Sequence, residues 1–103
     1  MTVVVTTTHA ADADIEETIA HIEAQSQISA RRFRQELLQC FARIAEQPHA
    51  AFYLSKFGLR RTRVSARFQR YLVFYREIDA ETLEVVRVLD GTRDLPTLLP
   101  DRR

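Results

Sequence analysis

The chain has 103 residues, of which 46% are hydrophobic and 28% charged, and its formal net charge is +1. These values are typical of one soluble globular domain over residues 1–103 and argue against a disordered chain. The densest apolar run, residues 71–75, is much shorter than the roughly 20 residues of a transmembrane helix. The N-terminus also lacks a signal-peptide pattern. With Cys40 as the single cysteine, we expect a cytoplasmic protein without a disulfide.

The N-terminal third predicts a strand followed by a helix. Residues 2–8 are all β-branched, and such side chains favour a strand. A helical period then runs from His9 to about Gln25, with its apolar positions at i, i+4 and i+7: Ile15, Ile19 and Ile22. Thr8 is the predicted N-cap of this helix. Asp12 and Asp14 are expected near the positive end of its dipole.

A second amphipathic helix is predicted to begin after Ser29, its expected N-cap, and to end before Pro48. Its apolar stripe comprises Ala30, Phe33, Leu37, Phe41 and Ile44. Cys40 lies beside this stripe and is expected to be a small core residue. The short connection between the two helices predicts an antiparallel helical hairpin.

The second half of the chain predicts strands at residues 58–65, 69–77 and 82–90, with a turn at Asp79 and Ala80. A short helical turn is predicted over residues 94–99. The fold class is therefore α+β, in the order strand–helix–helix–strand–strand–strand. We expect an antiparallel sheet with the helical hairpin packed on one face and the other face open and carrying arginines.

Positive charge is concentrated in the second half. Residues 55–103 hold eleven basic and seven acidic side chains, and residues 56–76 hold seven basic side chains and no acidic one. This asymmetry indicates an anionic partner, either nucleic acid or an acidic protein segment, although a solvated face is the alternative. The candidate binding residues are Arg60, Arg61, Arg63, Arg70, Arg76, Arg87 and Arg93.

No catalytic, cofactor or metal site is predicted. His9, His21 and His49 have no metal-ligand spacing with one another or with Cys40. Two glycines cannot form a phosphate-binding loop. We therefore expect no cofactor, no small-molecule substrate and no membrane partner.

Three motifs resemble the RelE/ParE toxin superfamily. They are residues 13–22 (ADIEETIAHI), residues 70–76 (RYLVFYR) and residues 87–95 (RVLDGTRDL). In this order they place the resemblance over about residues 14–99. It implies a small antiparallel sheet with two packed helices, and a toxin of a type II toxin–antitoxin pair. One branch of the superfamily cleaves messenger RNA on the ribosome, and the ParE branch inhibits DNA gyrase.

Departures from the RNase pattern favour the ParE branch. That branch usually has an arginine where this chain has Leu72, and its C-terminal tyrosine would fall near Leu98 or Leu99. The ParE closing motif often carries histidine before its glycine, where this chain has Asp90, which removes a further proton donor. Arg93 and Asp94 match the ParE pattern, although an ion pair between them is an equally good structural explanation.

The resemblance implies that the chain is not an enzyme, that it inhibits DNA gyrase, and that a ParD-like antitoxin neutralises it as a hetero-oligomer. The acidic, amphipathic tail of the antitoxin would cover the helical hairpin and add to the basic sheet. Two alternatives remain open. One is a RelE-like ribosome-dependent endoribonuclease, with Arg61, Arg63 and Arg76 gripping the RNA backbone. The other is a nucleic-acid or protein-binding module without toxicity.

Overall fold

The computed structural model describes residues 3–100 and contains five strands and three helices. In chain order these are β1 (Val4–Thr7), α1 (His9–Glu23), α2 (Gln27–Glu46), β2 (Phe52–Leu54), β3 (Leu59–Arg63), β4 (Tyr71–Asp79), β5 (Thr82–Asp90) and α3 (Leu95–Leu98). The α+β class and the predicted helical hairpin are confirmed. The first predicted strand is confirmed at Val4–Thr7, while Thr2 lies outside the described residues.

The strands form one mixed sheet in the order β1-β5-β4-β3-β2. The pairs β2–β3, β3–β4 and β4–β5 are antiparallel, as predicted, but β1 pairs with β5 in parallel. The expectation of a wholly antiparallel sheet is therefore wrong for β1. The connection from β1 to β5 runs through the helices rather than through a tight turn, and such a crossover permits parallel pairing. Strand β2 was not predicted, because three residues are too few to show an alternating pattern.

The two long helices begin at side-chain caps. Thr8 Oγ1 accepts a hydrogen bond from the Ala11 N–H at 3.0 Å, as predicted. Helix α2 starts earlier than predicted, because its N-cap is Ser26, whose Oγ accepts from the Ser29 N–H at 3.1 Å. The prediction of Ser29 as the cap is therefore wrong. Both serines satisfy the preference for a cap, and the backbone geometry selects Ser26.

The main core lies between the helical hairpin and the sheet. Its fully buried members include Ala30, Phe33, Cys40, Val73 and Tyr75. The Phe33 ring makes edge-to-face contacts with Phe68 and Tyr71, at centroid separations of 5.2 and 5.5 Å. Cys40 is therefore confirmed as a small core residue. Its thiol donates to the Arg63 carbonyl oxygen at 3.6 Å, and burial raises its pKa.

A second apolar cluster covers the opposite face of the sheet, so the prediction that this face is open is wrong for its central part. Its buried members are Leu59, Phe74, Val86, Leu89 and Leu99. The partly buried Leu54, Phe57, Leu72, Leu95 and Leu98 pack against them. The cluster forms because α3 folds back over the sheet, bringing its leucines onto the strand side chains that point away from the helical hairpin.

An irregularity in the β4–β5 pairing changes which residues share a face. The register shifts between Phe74, which pairs with Arg87, and Tyr75, which pairs with Val85. One residue of β5, Val86, has no partner at this point, so the alternation of side chains reverses there. In a regular strand, Val85 and Leu89 would share a face because they are four residues apart. Instead, Val85 packs in the main core and Leu89 in the second cluster.

Candidate functional site

Three of the predicted arginines line one groove, on the sheet face opposite the helical hairpin. Arg61 and Arg63 of β3 share this face with Leu59 of the second apolar cluster, because alternate residues of a strand point to the same side. Arg70 reaches the groove from just before β4. We call this the basic groove. It has a volume of about 420 Å³, and its lining residues are Ala51, Phe52, Arg61, Thr62, Arg63, Gln69, Arg70, Leu72 and Gly91.

The basic groove holds uncompensated positive charge. Within residues 3–100, neither Arg61 nor Arg63 forms an ion pair with a carboxylate. The guanidinium of Arg61 lies over the ring of Phe52, 5.1 Å from its centroid, and Phe52 is 62% exposed. The groove therefore presents two unpaired cations next to an accessible aromatic ring.

Arg70 is held in place by Asp90. The Arg70 Nε donates to Asp90 Oδ2 at 2.7 Å, while Asp90 Oδ1 accepts from the backbone N–H and the hydroxyl of Thr92 at 2.9 and 2.8 Å. Burial alone would raise the pKa of Asp90, but the hydrogen bonds from Thr92 and Arg70 outweigh it and lower the pKa below its ordinary value. Asp90 is therefore the carboxylate that orients the Arg70 guanidinium beside the groove.

Arg60 and Arg76 lie apart from the basic groove. Arg60 faces the helical side of the sheet, where it donates to the carbonyl oxygens of His49 and Ala51 at 3.2 and 2.9 Å. Arg76 lies opposite Glu84 on β5 and pairs with it at 2.9 Å. Arg60 thus braces the loop before β2, while the charge of Arg76 is balanced by its neighbour.

Arg87 is not part of an open basic surface. Its Nε and one terminal nitrogen donate to the two carboxylate oxygens of Asp14 at 2.7 and 2.8 Å, and its other terminal nitrogen donates to the Leu98 carbonyl oxygen at 2.9 Å. The Asp14 side chain is 7% exposed and also accepts from the Val88 N–H at 3.0 Å. The hydrogen bond with Asp14 raises the pKa of Arg87. The pair ties α1, β5 and α3 together.

Arg93 is exposed and lines a neighbouring cleft of about 310 Å³ between α1 and the ends of β4 and β5, which shares Arg70 with the basic groove. Glu17, His21 and Tyr71 also line this cleft. In the described part of the chain, Arg93 makes no ion pair with Asp94. The ion pair considered as a structural explanation for these two residues is therefore absent. The seven predicted arginines form one groove and several separate environments, not a single face.

Two features of the surface were missed by the sequence analysis. Phe52 belongs to the unpredicted β2 and was not considered. On α2, Ile28 and Leu38 are 65% and 67% exposed, and the neighbouring Arg31 and Arg34 are exposed as well. The sequence did contain a signal for the exposed apolar residues, because Ile28 and Leu38 are apolar but fall outside the predicted apolar stripe of α2.

The fold and the sequence can be compared with known proteins at this point. Residues 5–95 match the family model described as the ParE toxin of the type II toxin–antitoxin system parDE. This chain belongs to the ParE toxin family. Its fold is similar to a solved structure titled "Chromosomal ParDE TA system from P. aeruginosa", with a TM-score of 0.70 and 14% identity. The match covers 86% of this chain and 96% of that one. No curated protein matches this chain.

The family match supports the toxin role and confirms the resemblance of the three sequence motifs to the RelE/ParE superfamily. In the described residues, no helix is both long enough and apolar enough to cross a membrane. Nor do residues 3–100 contain a group of three or more His, Cys, Asp or Glu side chains that is arranged to hold a metal ion.

Proposed function

We propose that this toxin inhibits DNA gyrase by binding rather than by catalysis, and that a ParD-like antitoxin neutralises it. The family match carries the gyrase proposal, and the chemistry of the basic groove supports binding rather than catalysis. Among the described residues, the lining of this groove includes arginines but no carboxylate, histidine or tyrosine. An arginine guanidinium stays protonated at all physiological pH values, so it binds anions but is a poor general acid or base.

The positions that depart from the RNase branch and from the ParE closing motif support the same proposal. Leu72, Leu98 and Leu99 pack within the second apolar cluster, where each contributes to covering the sheet. Asp90 is occupied by its bonds to Thr92 and Arg70. These side chains stabilise the fold, and none of them supplies a proton at the groove.

The outer surface of α2 is suited to bind an acidic, amphipathic segment of the antitoxin. Ile28 and Leu38 offer exposed apolar contacts, and Arg31 and Arg34 flank them with positive charge. A helix with an apolar face and acidic borders complements this surface. We propose that it covers the helical hairpin and that the toxin and antitoxin form a hetero-oligomer. The unpaired arginines of the basic groove are proposed as a second antitoxin or target contact.

A supercoiling assay with purified toxin and DNA gyrase tests the proposal. We expect loss of supercoiling and accumulation of cleaved DNA complexes. Normal supercoiling together with growth arrest on expression would refute gyrase inhibition. In that case, primer extension on cellular messages would reveal codon-specific cuts if the chain were a ribosome-dependent RNase.

Antitoxin binding is tested by co-purification with a ParD-like antitoxin. The change Leu38→Glu places a negative charge in the proposed contact and is expected to weaken the complex at least tenfold. The matched control is Ile78→Glu, since Ile78 is 51% exposed on β4, away from α2. Equal affinity of the two variants would contradict the proposed surface. Unchanged affinity after neutralising Arg61 and Arg63 would remove the groove from the antitoxin contact.

A further inference from the structure

The basic groove contains two unpaired arginines and a third arginine that is held in place. Arg61 and Arg63 provide unpaired guanidinium groups, and Asp90 fixes Arg70 through its Nε alone. Guanidinium groups bind phosphate and carboxylate alike, so the charge by itself does not separate a nucleic acid from an acidic peptide.

The exposed side chain of Phe52 favours a nucleic acid over an acidic peptide as the partner. It is 62% exposed at the side of the groove, and Arg61 lies over it at 5.1 Å from the centroid. A flat, accessible ring beside cations matches a base next to its phosphate, because bases stack on aromatic side chains in single-stranded complexes. An acidic peptide has no requirement for such a ring. In a duplex, the bases are already stacked on one another, so the ring favours an unpaired segment.

We propose that the basic groove binds single-stranded nucleic acid, with a phosphodiester on Arg61, Arg63 and Arg70 and the neighbouring base stacked on Phe52. The groove volume of about 420 Å³ falls within the range of roughly 300–1,000 Å³ found for small-ligand sites, which suits one nucleotide. This site goes beyond gyrase inhibition and does not depend on it.

The test is fluorescence anisotropy of labelled twelve-residue oligonucleotides, one of DNA and one of RNA, with the purified full chain and no gyrase. The groove variant carries Arg61→Gln and Arg63→Gln. The matched control carries Arg31→Gln and Arg34→Gln on α2, which removes the same two charges from an exposed surface. Circular dichroism melts verify that both variants are folded.

We expect the groove variant to bind at least tenfold more weakly than the parent chain, and the control to change less than threefold. The slope of log K against log salt is expected to fall by about 0.7 in the groove variant, because the proposed site holds one phosphodiester and each phosphate contact with a single strand contributes about 0.7. Phe52→Ala is expected to weaken binding roughly tenfold, while Phe52→Tyr retains it. Tighter binding of the DNA or of the RNA oligonucleotide identifies which of the two nucleic acids the groove prefers.

Three results would overturn the inference. The first is no binding of either oligonucleotide at low salt, and the second is an equal loss of affinity in the groove and control variants. The third is unchanged binding in Phe52→Ala together with full displacement of the oligonucleotide by a poly-glutamate peptide, which would assign the groove to an acidic protein segment. Since gyrase is absent from the assay, a failure of gyrase inhibition leaves these outcomes unchanged.

Discussion

Among the ion pairs of the described residues, we expect the pair between Asp14 and Arg87 to contribute most to the stability of the fold. The Asp14 carboxylate is 7% exposed and the Arg87 side chain 20% exposed. Three hydrogen bonds reach the carboxylate, from two nitrogens of Arg87 and from the Val88 N–H. Truncation of Asp14 to alanine would leave a partly buried cation and a strand N–H without their acceptor.

Removing one partner of a buried ion pair typically costs about 3–5 kcal/mol. Arg87 retains some contact with water, so we expect Asp14→Ala to lower the free energy of unfolding by about 3 kcal/mol. At roughly 4–8 °C per kcal/mol for a domain of this size, the melting temperature would fall by about 12–24 °C. Asp14→Asn keeps the shape and an acceptor oxygen but loses the charge. Because charge-assisted bonds are roughly twice as strong as neutral ones, we expect a loss of about 1–2 kcal/mol.

Urea denaturation followed by circular dichroism measures these changes. The matched control is Glu84→Gln, which removes the charge from the Arg76–Glu84 pair between β4 and β5. That pair is more exposed, at 51% and 24% for its two side chains, so its loss is expected to cost about 0–1 kcal/mol. A loss below 1 kcal/mol in Asp14→Ala, or an equal loss in Glu84→Gln and Asp14→Asn, would refute the reasoning.

Three further predictions concern single side chains. Cys40 is fully buried and its pKa is raised, so a thiol reagent at pH 8 should label it only after denaturation; rapid labelling of the folded chain would contradict this. Ser26→Ala should destabilise the chain by about 0.5–2 kcal/mol in urea denaturation by removing the α2 cap, whereas Ser29→Ala, whose side chain caps nothing, should change stability by less than 0.5 kcal/mol. The pKa of Asp90 is lowered from 3.8 in the folded state, so its stabilisation is complete above that pH and lost as the pH falls through the folded-state pKa. The stability difference between the parent chain and Asp90→Asn should therefore shrink below about pH 4, and a constant difference would contradict the assigned bonds.

The elements with the clearest periodicity were predicted best. Helix α1 begins at His9, as predicted, and β5 spans Thr82–Asp90, as predicted. Their patterns repeat over several turns or alternations, so local sequence determines them. The cap of α2 and the existence of β2 depend on backbone geometry and on pairing with β3, which a local pattern does not contain. The sequence therefore predicted the class and the longer elements, but not the shortest elements, the parallel pairing of β1 or the cover on the second face of the sheet.

The candidate site was predicted only in part, because charge counting ignores partners that are distant in the chain. Three of the selected arginines, Arg61, Arg63 and Arg70, meet in one groove, and their role in binding stays a prediction. Charge counting also selected Arg87, whose partner Asp14 lies 73 residues away. A carboxylate on the first helix cannot be matched to an arginine on the last strand without the fold.

The edge of β5 explains why the Asp14–Arg87 pair is buried while the basic groove keeps unpaired charge. Strand β1 pairs with β5 only as far as Val85, and beyond that point the Val88 N–H has no strand partner on this side. The Asp14 carboxylate accepts that N–H and in doing so brings its charge to Arg87. At the opposite side of the sheet, β3 lies between β2 and β4, and no carboxylate of the described residues lies within ion-pair distance of its arginines. Arg61 and Arg63 therefore remain without acidic partners among the described residues, and the unpaired charge of the basic groove is that of β3.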